Sequence, residues 1–323
     1  MGRAVSTLRD PTGMSIIAIY GLGGMGKTAL VLEAITRTQS TGWDAVVWLS
    51  AKNDEFLGER VKERRPDEIT PTSVFDAIAA ACGRTDIVKS LSEQKKEALS
   101  QVLARKRVLV VLDNLDTIHQ AEAIVESMFP ILGKSKCILT SRHRLKTDKV
   151  FEINLSGLPD HEGLAFIESQ AALRGLESLE HADGPTLSRI QEVTGGAPLA
   201  IKLVVGQMAR QPVESVLEAL QHANISGQDY DFYRFIYLES WQLIGKTARK
   251  VLVSMSAFAP NIGGTESAVR RVCRVSSHSL RAAMEQLVLL SLVDLVSQRG
   301  TQRYSLHSLT HYFILSEIVR LWE

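Results

Sequence analysis

Residues 21–28 read Gly-Leu-Gly-Gly-Met-Gly-Lys-Thr. They directly follow the apolar run at residues 15–20 (SIIAIY) and open the helical pattern at residues 28–38. The spacing G-x-x-x-x-G-K-[ST], set between a strand and a helix, predicts a phosphate-binding loop and places it at the end of a buried parallel strand. Glycines carry no Cβ, so backbone N–H groups can curl around phosphate oxygens. The start of the following helix adds its free N–H groups and positive dipole end. Gly21, Gly23, Gly24, Met25, Gly26, Lys27, Thr28 and Ala29 are therefore candidate ligand-binding residues. Lys27 is placed to reach β/γ-phosphates as a point charge, and the Thr28 hydroxyl is a candidate Mg²⁺ ligand.

Such a loop needs an acid downstream. Residues 108–113 (VLVVLD) form a continuous apolar run that ends in Asp113, a second candidate Mg²⁺ ligand acting directly or through water. Asp116, three residues on, is a candidate to orient or deprotonate an attacking water, and Asn114 can position one. Residues 136–140 (KCILT) read as another strand, whose end, CILTSR at 137–142, delivers Thr140, Ser141 and Arg142 to the sheet edge that carries ligands. Arg142 is a candidate for bidentate contact with a γ-phosphate. The competing reading, a solvent-facing arginine beside Arg144 and Lys146, stays open.

Three further runs, residues 45–50, 107–112 and 150–155, alternate with helical patterns at residues 73–82, 93–105 and 121–129. Strand–helix alternation with apolar strands predicts an α/β domain whose parallel sheet is covered on both faces. Residues 53–71 are polar and carry Pro66 and Pro71, which predicts a surface loop. After Leu155 the strand signal stops. Helical patterns begin at Asp160 (Leu164, Ile167 and Ala171 on one face) and recur at residues 186–193, 199–209 and 213–222. Residues 224–231 (NISGQDYD) read as a boundary. Beyond it, helices at residues 247–257 and 279–290 precede two short strands, 292–296 and 302–306, around the turn pair Arg299-Gly300. Helices followed by a hairpin suggest a winged helix. The expected organisation is a P-loop domain over residues 1–155, a small helical domain over 156–229 and a winged-helix domain over 230–323.

Composition narrows the function classes. The chain has 323 residues, 37 Lys+Arg against 36 Asp+Glu, a net charge of +1 and 45% hydrophobic residues. This describes a multi-domain globular protein and argues against disorder, a dedicated nucleic-acid binder or a polybasic membrane binder. Cys82, Cys137 and Cys273 are widely separated and lack metal-ligand spacing, which points to a reducing, cytoplasmic setting. No apolar run reaches the roughly 18 residues of a membrane span, and residues 1–11 contain no signal-peptide core.

Taken in order, these motifs resemble the NB-ARC branch of the STAND class of signalling P-loop NTPases, a group that includes plant disease-resistance receptors, apoptosome-forming proteins and bacterial regulators. GLGGMGKTAL at 21–30 resembles its Walker A, VVWLSA at 46–51 the following strand, VLVVLDNLD at 108–116 a bacterial Walker B, and ILTSR at 138–142 its sensor 1. GGAPLAIKL at 195–203 resembles the GLPL motif, the run from Ser240 to Pro260 the opening of the winged helix, and YSLHSLT at 304–310 a bacterial variant of the MHD motif. The resemblance implies ATP and ADP with Mg²⁺ as ligands. It further implies that Pro198 packs on adenine and that His307 touches the β-phosphate of buried ADP. It implies ADP-for-ATP exchange that opens the molecule and permits self-association, with hydrolysis as the reset. Three departures are plain: Ser308 stands where the family usually has Asp, Met1-Gly2-Arg3 matches the family's N-terminal segment poorly, and family members usually continue into sensor repeats. The expectation is a core without its sensor repeats or effector.

The functional expectation is a slow, regulatory ATPase acting as a nucleotide-gated switch. Two alternatives remain: a steadily turning-over ATPase, and a winged-helix DNA-binding regulator using Arg270, Arg271, Arg274 and Arg281. DNA is the less favoured partner, because Leu280, Met284, Leu287 and Val288 make the candidate recognition helix a packing helix.

Overall fold

The computed structural model describes residues 2–39, 42–50, 69–90, 92–115, 118–222, 230–260, 262–298 and 301–319. Most of the polar loop at 53–71, Asp116, most of the boundary at 224–231, the turn pair Arg299-Gly300 and Trp322 lie outside them. The chain divides into two compact units, the first ending at Leu155 and the second beginning at Ser156.

The first unit runs α1 (Gly2–Arg9), β1 (Ile16–Tyr20), α2 (Lys27–Thr38), β2 (Ala45–Ser50), α3 (Pro71–Ala81), α4 (Thr85–Val88), α5 (Ser92–Arg105), β3 (Val108–Asp113), α6 (Ile118–Met128), β4 (Lys136–Ser141) and β5 (Phe151–Asn154). The strands form one parallel sheet in the order β2-β3-β4-β1-β5. Period-two alternation sends successive side chains to opposite faces. Ile17, Ile19, Leu109, Val111 and Ile138 pack under α1 and α2. Ile16, Ala18, Val108, Val110, Leu112 and Leu139 pack under α3, α5 and α6. Both faces are covered, which is why β3 and β4 are buried along their whole length.

Local chemistry sets the ends. α3 starts two residues before its apolar pattern because Pro71 occupies the first turn and Thr70 and Ser73 cap each other's backbone N–H groups. α1 is an element the apolar pattern does not announce. Only Ala4 and Leu8, one turn apart, are buried, too few for a periodic signal. Fully burying a side chain such as Leu8 contributes roughly 1.5–3 kcal/mol, and Arg3 lies over the Phe151 ring at 5.1 Å.

The second unit runs α7 (Asp160–Ala172), α8 (Glu177–Glu180), α9 (Gly184–Thr194), α10 (Pro198–Met208), α11 (Val213–His222), α12 (Tyr230–Gln242), α13 (Lys246–Met255), α14 (Glu266–Cys273) and α15 (Ser277–Leu289), then β6 (Asp294–Gln298), β7 (Thr301–Ser305) and α16 (Ser308–Phe313). Strands β6 and β7 pair as an antiparallel hairpin. α10 is buried on nearly every side. Gln207 on it donates to Ile236 O and Ser240 Oγ of α12. Tyr237 stacks on Phe313 at 5.0 Å and hydrogen-bonds Thr310. A π-helical turn, Ile314–Ile318, follows α16. Ile314 and Ile318 of this turn are buried and Leu315 is exposed.

Gly196 holds two segments of this unit together. Its φ is +66°, and a Cβ there would fall 2.5 Å from Leu158 O and 2.7 Å from Gln191 Nε2. Leu158 N donates to Gly196 O at 2.8 Å. Gly196→Ala combines left-handed strain with a backbone clash and is expected to destabilise the protein by at least about 2 kcal/mol. Urea unfolding of the variant, followed by far-UV circular dichroism, measures this; an unchanged midpoint would contradict the packing role.

Candidate functional site

The ends of β1, β3 and β4 meet at one edge of the sheet. At the end of β1, Gly21 N donates to Ser141 O of β4 at 3.3 Å. Gly21 has φ +153°, and a Cβ there would lie 2.4 Å from Leu155 O. The loop therefore enters between two neighbouring strand ends through a gap that admits only glycine. It then turns through Gly24 and Gly26, with φ of +81° and +86°. Gly26 is the N-cap of α2 and supplies no side-chain cap. The N-cap thus offers no side-chain acceptor to the first turn of α2, the arrangement that suits an anion. Lys27 Nζ donates to Gly21 O at 2.6 Å and Leu22 O at 2.9 Å, so the loop closes around its own cation.

Thr28 and Asp113 are 85 residues apart in sequence, yet Thr28 Oγ1 donates to Asp113 Oδ1 at 3.0 Å. Asp113 is 4% exposed. The same Oδ1 accepts from Thr140 Oγ1 at 2.7 Å, and Thr140 Oγ1 in turn accepts from Asn114 N at 2.8 Å. Leu115 N donates to Thr140 O at 2.8 Å. These bonds pin Asn114 in the left-handed region, φ +68°, and turn the chain away just after the carboxylate. A hydroxyl and a carboxylate side by side are hard oxygen donors, a set that fits Mg²⁺, which takes one or two protein ligands and completes its shell with phosphate and water. Among the described residues, no group of three or more His, Cys, Asp or Glu side chains forms a self-sufficient metal cage.

Thr140 is the residue that reading along the sequence underweights. It stands at the strand end among the candidates, but only the pairing of β3 with β4 puts its hydroxyl on Asp113. Arg142 lies just past the end of β4 and is exposed. Arg144, two residues on, clamps Glu152 through Nε and Nη2. Asp116 lies outside the described residues.

Pro198 and His307 belong to the second unit. Pro198 is half-buried at the first position of α10, behind Ala197 as N-cap. His307 is the N-cap of α16: its Nδ1 accepts from Leu309 N at 3.2 Å. An Nδ1 that accepts carries no proton, so the neutral ring holds its hydrogen on Nε2.

The NB-ARC domain model matches residues 1–174. The chain is 25% identical over 217 residues to the disease resistance protein RPP2A of Arabidopsis thaliana, covering 65% of this chain and 15% of that protein. It is 24% identical over 223 residues to the TMV resistance protein N of Nicotiana glutinosa, covering 67% and 18%. It is 26% identical over 201 residues to the regulatory protein AfsR of Streptomyces coelicolor, covering 61% and 18%. Among solved structures, a Signal Transduction ATPase with Numerous Domains (STAND) protein with a tetratricopeptide repeat sensor, from Pyrococcus horikoshii, superposes with a TM-score of 0.62 at 15% identity. That match covers 98% of this chain and 42% of the other, and it shows the fold. The matched stretches thus span less than a fifth of the three sequence relatives and 42% of the solved structure. Among the described residues no helix is long and apolar enough to cross a membrane.

Proposed function

The chain belongs to the NB-ARC family, and from that premise we propose that it is an adenine-nucleotide switch: it holds ADP when closed, exchanges it for ATP to open and self-associate, and resets by slow Mg²⁺-dependent hydrolysis. The observation that carries this reading is the convergence of three strand ends on Asp113, with Thr28 and Thr140 both donating to Oδ1 beside an uncapped, glycine-led α2. In this reading the N–H groups of the loop through Ala29 cradle the phosphates, and Lys27 Nζ leaves its two loop carbonyls for phosphate oxygens. Thr28 and Asp113 would hold Mg²⁺, which would supply charge screening on the phosphates. Asp116 and Asn114 are assigned to the attacking water, and Arg142 to the γ-phosphate.

The second unit supplies the gate. We assign Pro198 to the adenine face and His307 Nε2 to the β-phosphate, because Nδ1 is engaged in capping α16. In this assignment α7 to α11 form the helical domain, and α12 onward, with the β6–β7 hairpin, form the winged helix. Moving such a switch from mostly closed to mostly open takes about 5.5 kcal/mol of differential binding. DNA binding is the weaker reading. α15 commits Leu280, Met284 and Leu287 to the core, while Arg270 donates to Ser277 and Arg281 faces Glu266.

The test is to denature freshly purified protein and identify released nucleotide by chromatography. Near-stoichiometric ADP is expected, with release as the regulated step. Nucleotide-free protein that turns over added ATP rapidly would replace the switch with an ordinary ATPase.

A further inference from the structure

The second unit contains a groove of about 640 Å³ that the phosphate chemistry does not use. It lies between the C-terminal end of α7 and the surface made by α15 and β6, with Leu173, Met284, Val288 and Leu295 among its apolar lining. Leu173 is 75% exposed and Leu295 48% exposed. Scattered exposed leucines are ordinary; here two line one groove.

Arg174 also lines this groove. Its Nε donates to Leu289 O at 3.0 Å, its Nη1 to Gln170 O at 2.8 Å and Gln170 Oε1 at 2.9 Å, and its Nη2 to Ser291 Oγ. These bonds use four of its five N–H donors, and every acceptor is neutral. Among the described residues no carboxylate lies within ion-pair distance of it. Asp294 is paired with Lys202 at 2.6 Å, Arg281 faces Glu266 at 3.7 Å, and the Glu285 carboxylate also lines the groove. Desolvation holds the Arg174 guanidinium below its ordinary value, with the Asp294 charge opposing, yet a guanidinium remains charged in proteins. A partly buried cation whose hydrogen-bond acceptors are all neutral, set against an apolar wall, favours an anion carrying apolar surface. The volume suits one small molecule, within the roughly 300–1,000 Å³ typical of ligand sites.

We propose that this groove binds a small organic carboxylate with an apolar tail, its head on the Arg174 guanidinium and its tail against Leu173, Met284 and Leu295. The ligand bridges α7 to α15 and β6, so it stabilises their observed packing. The assignment is independent of nucleotide binding.

The test uses the full chain with octanoate as probe and octan-1-ol as its neutral counterpart, read by calorimetry and thermal unfolding. Octanoate is expected to bind saturably at one site and raise the melting temperature in a concentration-dependent way. Octan-1-ol is expected to bind at least tenfold more weakly. Leu173→Glu, at an exposed position, should weaken octanoate at least tenfold while leaving the circular dichroism unchanged. Lys27→Ala should leave octanoate binding intact, so that failure of the nucleotide reading and failure of this one remain distinguishable. Absence of saturable octanoate binding, equal binding of octan-1-ol, or no effect of Leu173→Glu each overturns the proposal. So does binding of an apolar peptide with a free C-terminal carboxylate where octanoate fails.

Discussion

Lys27→Ala is expected to weaken ADP and ATP binding by at least about a hundredfold without unfolding the chain. Charge-assisted contacts contribute about 1.5–3 kcal/mol each, and one ammonium placed to reach both the β- and γ-phosphates makes more than one. The same ammonium bonds the Gly21 and Leu22 carbonyls from a half-buried position outside both core clusters. The variant should therefore keep its melting profile in the absence of nucleotide. Titration with a fluorescent ADP analogue measures the loss. Wild-type affinity in the variant would sink the assignment of this loop.

Asp113→Asn should separate binding from chemistry. The amide keeps the carboxylate's shape, and its oxygen can still accept from Thr28 and Thr140, so the buried cluster keeps its hydrogen bonds. The negative charge that suits Mg²⁺ is lost. Single-turnover hydrolysis is expected to fall at least about a hundredfold, in line with losing several kcal/mol of metal-assisted charge stabilisation. ADP binding measured in EDTA should change little. Hydrolysis at the wild-type rate would remove Asp113 from the site. Loss of EDTA-insensitive binding together with the fold would instead make Asp113 a structural residue.

The first unit was largely legible because its signals are local. β2 spans its apolar run, and β1, β3, β4 and β5 fall within a residue of theirs. The structure starts helix α2 at Lys27, directly after the N-cap glycine. Less legible were α1, with two buried anchors, and α12 and α14, which fall outside the segments the pattern picked out. α14 is short and carries Arg270 and Arg271 on its outer side. α12 begins beside the polar run read as a boundary, although Phe232, Tyr233, Ile236 and Tyr237 are buried. Its aromatic residues find partners in α16, a contact that no local pattern contains.

Residue spacing alone determined the glycine-rich loop, the strand it follows, the helix it opens and Asp113 at the end of a buried strand. Each is a short-range consequence of backbone freedom, β-branched runs and helix termini. Tertiary structure alone decided that Thr28, Asp113 and Thr140 share one oxygen, because the parallel register of β3 with β4 brings together residues far apart in the chain. It also decided that His307 gives Nδ1 to a helix cap, and that Arg174 lies beside an apolar groove with no carboxylate partner among the described residues. Which polar groups meet, and which charges lack an ion-pair partner, follows from how helices and strands pack, and that information is not carried by any single stretch of sequence.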